Sequence, residues 1–184
     1  MAKKKRQKQS RKKTARLSTG MYVDWALDEA ERLVAVDEVE HRLAIEQSDG
    51  TFAFFGRKGP GPGQFHYPRS IEILNGVAYV VDSWNHRVQM FELPAWSFKG
   101  TFGKDGDPIG QLFCPSSITI AHREKETPWL LVADTNNDRL SFYDTAGRYL
   151  FESELLQSRH PVKVQTRNQS IEVQYEDGQW ERLT

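Results

Sequence analysis

Three segments of the chain repeat one pattern: "VAVDEVEHRLAI" at 34–45, "VVDSWNHRVQMF" at 80–91 and "LVADTNNDRLSF" at 131–142. In each, an apolar run ends in an aspartate. An arginine follows five positions later, then an aliphatic residue and further alternation. The aspartates, Asp37, Asp82 and Asp134, lie 45 and 52 residues apart. A period in the forties is the mark of a unit that cannot bury its apolar surface alone and must stack on neighbouring copies. The repeat also bears on chemistry. Asp82, Asn85, His86 and Arg87 fall within six positions and could be read as a catalytic set. A catalytic set needs one copy; a turn that builds a fold is needed in every unit.

The second and third copies align further upstream. "GPGPGQFHYPRSIEI" at 59–73 lies over "GDPIGQLFCPSSITI" at 106–120 at a constant offset of 47. The glycines and prolines mark a loop with special backbone angles, and the proline then leads a strand with period-2 apolar residues. The offset grows to 52 through the polar segment 121–129, where insertion in a hairpin tip costs little. Each unit reads as four short strands. For the second these are 70–74, 78–82, 87–92 and 97–103. For the third they are 117–121, 130–134, 139–144 and 149–152. The first unit fits as 22–27, 32–37, 42–46 and 51–56. A fourth starts at Pro161 and ends with the chain after three strands. Asp177 and Arg182 keep the five-residue spacing there, although Asp177-Gly178 reads equally well as a tight hairpin turn.

Four-stranded antiparallel units at this period are blades of a β-propeller. The quoted residues resemble the NHL-repeat family: a Gly-rich lead, a Pro, an aliphatic strand, V-x-D, an Asn-His-Arg element and an alternating strand. Asp138 stands where that pattern usually has His. The resemblance implies an all-β fold, an NHL-type β-propeller arc of three full four-stranded antiparallel blades plus a partial fourth. The blades are expected at about 21–56, 65–103, 113–152 and, partial, 161–184, within a propeller domain of residues 21–184. Closed propellers have roughly four to eight blades, so an arc of this length implies a homo-oligomer that completes the ring, a strained four-bladed closure, or a partial copy of a longer protein. The fold does not fix an activity.

The turn residues Asp37, Arg42, Asp82, Asn85, Arg87, Asp134, Asn137 and Arg139 are expected to be structural. An aspartate there can accept backbone N–H groups of its turn, and the arginine can return to that carboxylate or to loop carbonyls. No catalytic residue is assigned. The five histidines, His41, His66, His86, His122 and His160, form no H-x-x-x-H pair and there is no C-x-x-C, so no metal site is assigned and no cofactor is expected. "GKDGDP" at 103–108 lacks the acidic ligands of a calcium loop. Cys114, the single cysteine, reads as a small, partly buried residue and fits a reducing compartment.

The net charge of zero conceals an asymmetry. Nine of the 25 basic residues lie in residues 1–20, which contain no acid, leaving 16 basic against 25 acidic residues in the body, a charge of −9. The nine are Lys3, Lys4, Lys5, Arg6, Lys8, Arg11, Lys12, Lys13 and Arg16. So many like charges with so little apolar surface imply a disordered basic tail. It could neutralise phosphates and tether the protein to nucleic acid, while the acidic body argues against blade-mediated RNA binding. No apolar run suits a membrane span and no secretory signal is present, which points to the cytoplasm, or to the nucleus in a eukaryote. The expected function is a non-enzymatic NHL-repeat scaffold that binds a protein partner through propeller loops. The alternative is a metal-dependent lyase or hydrolase assembled at the centre of an oligomeric propeller.

Overall fold

The computed structural model describes residues 22–104, 110–122, 126–154, 159–167 and 170–183. The first blade comprises β1 (Tyr22–Leu27), β2 (Leu33–Asp37), β3 (Arg42–Glu46) and β4 (Phe52–Phe55). A short parallel pair, β5 (Arg57–Lys58) and β6 (Gln64–Phe65), carries the chain into the second blade. That blade holds β7 (Pro68–Leu74), β8 (Val77–Asp82), β9 (Arg87–Glu92) and β10 (Ser97–Phe102). The third holds β11 (Ser117–Ala121), β12 (Trp129–Asp134), β13 (Arg139–Tyr143) and β14 (Tyr149–Glu154). The fourth has three strands, β15 (Pro161–Arg167), β16 (Ser170–Tyr175) and β17 (Trp180–Leu183). Within each blade the strands pair antiparallel in simple succession. The expected all-β arc of three full blades and a partial fourth is therefore what the chain forms. Two short 3-10 turns, Ser83–Asn85 and Thr135–Asn137, and the β5–β6 pair were not legible in the repeat pattern. Among the described residues no helix is long and apolar enough to cross a membrane.

Period-2 patterning explains how blades stack. Side chains alternate across a strand, so one face of β2 carries Val34 and Val36 and the other Leu33 and Ala35. All four are fully buried. Val34 and Val36 join Leu43, Phe65, Ile71, Val80 and Phe91 in the core between blades one and two. Tyr79, Val81, Val88 and Met90 meet Ile118, Leu130, Val132 and Tyr143 between blades two and three. Leu131, Ala133, Leu140 and Phe142 meet Val164, Val173 and Tyr175 between blades three and four. Each such side chain contributes roughly 1.5–3 kcal/mol on burial, which makes these sandwiches the main source of cohesion. The face of blade four turned away from blade three is different. Glu172 and Gln174 occupy the register positions that Tyr79 and Val81 hold in blade two.

Candidate functional site

The recurrent aspartates and arginines come together as the spacing anticipates. In blade two Asp82 pairs in register with Arg87 across the β8–β9 hairpin. Both are buried, and Arg87 Nε donates to Asp82 Oδ2 at 2.8 Å. Asn85 Nδ2 and Gln89 Nε2 donate to the same oxygen at 2.9 and 3.0 Å. The His66 N–H donates to Oδ1 at 2.7 Å. The far end of Arg87 reaches the carbonyls of Gly61 and Gln64 at 2.9 and 3.0 Å, and Asn85 reaches that of Gly59 at 2.9 Å. One hairpin thereby holds the whole Gly-rich loop that leads into its blade. Blade three repeats the joint: Asp134 accepts from the Phe113 N–H at 2.7 Å, Asn137 at 2.9 Å and Arg139 Nε at 2.8 Å. Arg139 and Asn137 both reach the Gln111 carbonyl, at 2.6 and 3.3 Å. Blade one keeps only Asp37 with Arg42, at 3.3 Å, plus the Glu40 N–H at 3.1 Å. In blade four the Asp177–Arg182 spacing builds no such joint. Asp177 lies in a tight turn closed by Gly178 and pairs with Arg159 at 3.2 Å, while Arg182 stands opposite Glu172.

A second repeated contact was missed in the sequence. His41 and His86 close their hairpin turns in the left-handed region, at φ 55° and 56°. Nδ1 of His41 accepts the Tyr67 N–H and Nδ1 of His86 accepts the Cys114 N–H, each at 3.1 Å. Each histidine thus latches its blade to the next one through a lone pair. Burial, with Lys58 and His66 adding to it, holds the His41 imidazole below its ordinary pKa and keeps it neutral. Asp138 takes the third position at φ 53°. There the arrangement differs: His160 Nδ1 lies 2.7 Å from Asp138 Oδ1 and 3.2 Å from the Thr135 carbonyl oxygen. The available signal was the residue type, since His, Asn and Asp are the non-glycine residues that enter the left-handed region most readily.

A third set runs along the axis. Asp24, Ser70, Ser117 and Lys163 are equivalent on β1, β7, β11 and β15, each facing the same position of its neighbouring strand. Asp24 accepts from the Ser70 hydroxyl at 2.6 Å and the Ile71 N–H at 3.1 Å. Ser70 accepts the Ile118 N–H, and Ser117 the Val164 N–H, both at 3.2 Å. Burial pushes the Asp24 carboxyl above its usual range, against these hydrogen bonds and the Lys163 charge. Lys163 has no acceptor to offer a further strand, so the series ends there. The four strands border a hollow of about 240 Å³ at one mouth, lined by Asp24, Glu38, Arg69, Ser70, Ser117 and Lys163 among others. The other mouth, about 500 Å³, is lined by Trp25, Leu27, Glu72, Ile73, His122 and Gln165 among others. Among the described residues no three His, Cys, Asp or Glu side chains are placed to hold a metal ion.

Several large apolar side chains face solvent: Phe54, Phe98 and Phe151 on the last strands of blades one to three, and Val39, Trp84 and Phe113 at the end of the arc that carries the hairpin turns. Val39 and Trp84 occupy the same turn position in blades one and two and are 49% and 54% exposed. Trp84 packs on His66 and Tyr67, with ring centroids 5.2 and 4.8 Å apart, and Tyr67 packs on His41 at 4.8 Å. At the next junction Phe113, 48% exposed, packs on His86 at 5.1 Å. Cys114 beside it is a free, half-buried thiol whose pKa burial raises. The nine tail cations, Lys3 to Arg16, and part of the 103–108 loop lie outside the described residues.

No protein-family model and no curated protein sequence matches the chain. Solved structures do. A catalytically inactive virginiamycin B lyase of Staphylococcus aureus, solved with quinupristin, superimposes with a TM-score of 0.64 at 12% identity, over 91% of this chain and 56% of that one. The WD40 domain of Neurospora crassa Pan2 gives 0.64 at 12%, over 89% and 46%. Hydrazine synthase of Kuenenia stuttgartiensis gives 0.62 at 11%, over 90% and 49%. The fold is that of a β-propeller. The chain spans about half the length of each neighbour, and at these identities the likeness concerns the fold alone.

Proposed function

We propose that the protein is an NHL-type, non-enzymatic binding module that recognises a protein partner through the turn end of its blades. The observation that carries this reading is the exposed Trp84 ring, packed on half-buried Tyr67 and His66 at a hairpin turn. Large aromatic side chains left in water on a preorganised surface mark interaction sites, and Trp and Tyr dominate interface energetics. The Asp–Asn–Arg sets support the reading in a second way, because their hydrogen-bonding groups are spent on their own turns. The basic residues Lys3 to Arg16 would add a tether to nucleic acid, with salt-sensitive affinity. A metal-dependent lyase at the ring's centre would call for histidines on the axis. Among the described residues only His122 lines either mouth of the hollow.

A photo-crosslinking residue placed at position 84, and separately at exposed Asp49 on the opposite end, tests the recognition surface. In the native host the module reading expects one discrete protein adduct from position 84 and none from position 49. The same preparation, with the nine tail cations replaced by glutamine, should lose salt-sensitive binding to a single-stranded oligonucleotide. Equal labelling from both positions would overturn the recognition surface, and unchanged oligonucleotide binding would overturn the tether.

A further inference from the structure

The aromatic cluster does not stand alone on its rim. β5 places Arg57 and Lys58 beside it: Lys58 is in register with Phe65, and Phe65 is followed directly by His66 and Tyr67. Both cations are exposed, and among the described residues neither forms an ion pair. The Lys58 charge reaches His41, the ring under Tyr67, and helps depress its pKa. Of the nearby acids, Glu38 is taken up by Arg69 at 3.3 Å. Glu40 remains exposed in the blade-one turn. The rings pack on one another, and hydrogen bonds also fix the backbone that carries them. The Trp84 N–H donates to the His66 carbonyl at 3.0 Å, the His66 N–H to Asp82 at 2.7 Å and the Tyr67 N–H to His41 at 3.1 Å. Tyr67 itself sits at φ 52°. A surface fixed in this way loses little entropy on binding, which is what preorganisation contributes to affinity.

We propose that this rim, at the junction of blades one and two, binds an acidic peptide segment of a protein partner. An aromatic or proline side chain would lie on Trp84 and Tyr67, and flanking carboxylates would meet Arg57 and Lys58. An apolar centre flanked by exposed cations has the anatomy of a protein interface, and the charges set partner choice and association rate. The inference rests on the binding-module reading and adds the partner's chemistry to it.

The test uses the full-length protein and a fluorescein-labelled hexapeptide of sequence EEFPEE, with oligoglutamate and oligo-dT of equal length as comparators. Wild type should bind the hexapeptide, and added salt should weaken it. Trp84→Ala should weaken it about tenfold or more, the size of an interface hot spot. Arg57→Gln with Lys58→Gln should weaken it comparably and reduce its salt dependence. Neither variant touches the buried core, and unfolding midpoints close to wild type should accompany both. Oligoglutamate, which has carboxylates but no aromatic or proline side chain, measures attraction to the cations alone and should not respond to Trp84→Ala. Hexapeptide binding unchanged by both variants would overturn the proposal. So would oligo-dT binding that falls with Trp84→Ala while hexapeptide binding does not, which would assign the rim to nucleic acid. A protein adduct at position 84 without hexapeptide binding would leave the module reading standing and remove only the acidic partner.

Discussion

His41 shows how one residue serves the fold through its protonation state. Its Nδ1 lone pair accepts the Tyr67 N–H, and a proton on that nitrogen would break the latch. The folded pKa is lowered by burial first, then by Lys58 and His66, while Glu40 and Asp82 oppose the shift. A group whose folded pKa lies below its unfolded value contributes stability that is present above the unfolded value and lost as pH falls through the folded one. For histidine that loss begins near pH ~6.5. The urea midpoint of the wild type should therefore fall between pH 7.5 and 5.5, and His41→Asn should flatten that fall. An identical pH profile in the variant would remove the latch from the account. The sequence displayed the histidine and its repetition but not its partner, because the partner is a backbone N–H 26 residues away in the next blade. The Asp82–Arg87 joint was legible because its two side chains lie five residues apart on one hairpin.

At the scale of the element, the strands were legible because alternation and the Gly/Pro leads are written into each copy. The loops between blades were less so, since their geometry depends on what packs against them. Gly110 shows this. It sits at φ 84°, its carbonyl accepts the Tyr143 hydroxyl at 2.6 Å, and a Cβ there would come within 2.6 Å of the Tyr149 ring. Gly178 has nearly the same φ, 82°, in the β16–β17 turn, with nothing within 4 Å of its missing Cβ. Both Ala variants incur the left-handed backbone cost of about 1–2 kcal/mol. Only Gly110→Ala also displaces an aromatic ring between blades. Chemical denaturation should show Gly110→Ala as clearly the more damaging of the two. Equal losses would mean that the loop yields freely and does not hold the blade junction. The exposed Trp84 was likewise visible as a residue, but its exposure and its contacts with Tyr67 and His66 arise only when β6 and the β8–β9 turn meet.

At the scale of the whole molecule, three apolar sandwiches and three kinds of repeated polar contact tie successive blades together. The polar set comprises the Asp–Arg joints, the latches and the axial series from Asp24 to Ser117. The two ends of the arc differ. Leu33 and Ala35, on the face of blade one opposite Val34 and Val36, are fully buried, whereas Glu172 and Gln174 of blade four are only partly buried. A second copy completing a ring would have to bury those polar groups, which costs free energy unless each finds a partner. The measurement that tests the account most directly is urea unfolding of Arg87→Ala, followed by tryptophan fluorescence and by far-ultraviolet circular dichroism. Removing the arginine leaves the Asp82 carboxylate buried and short of its charge partner, a loss of about 3–5 kcal/mol. Because the joint also anchors the loop between blades one and two, both signals should shift together to a lower midpoint. A wild-type midpoint in both signals would contradict the claim that the repeated Asp–Arg units hold the propeller together, and would return Arg87 to consideration as a residue kept for chemistry.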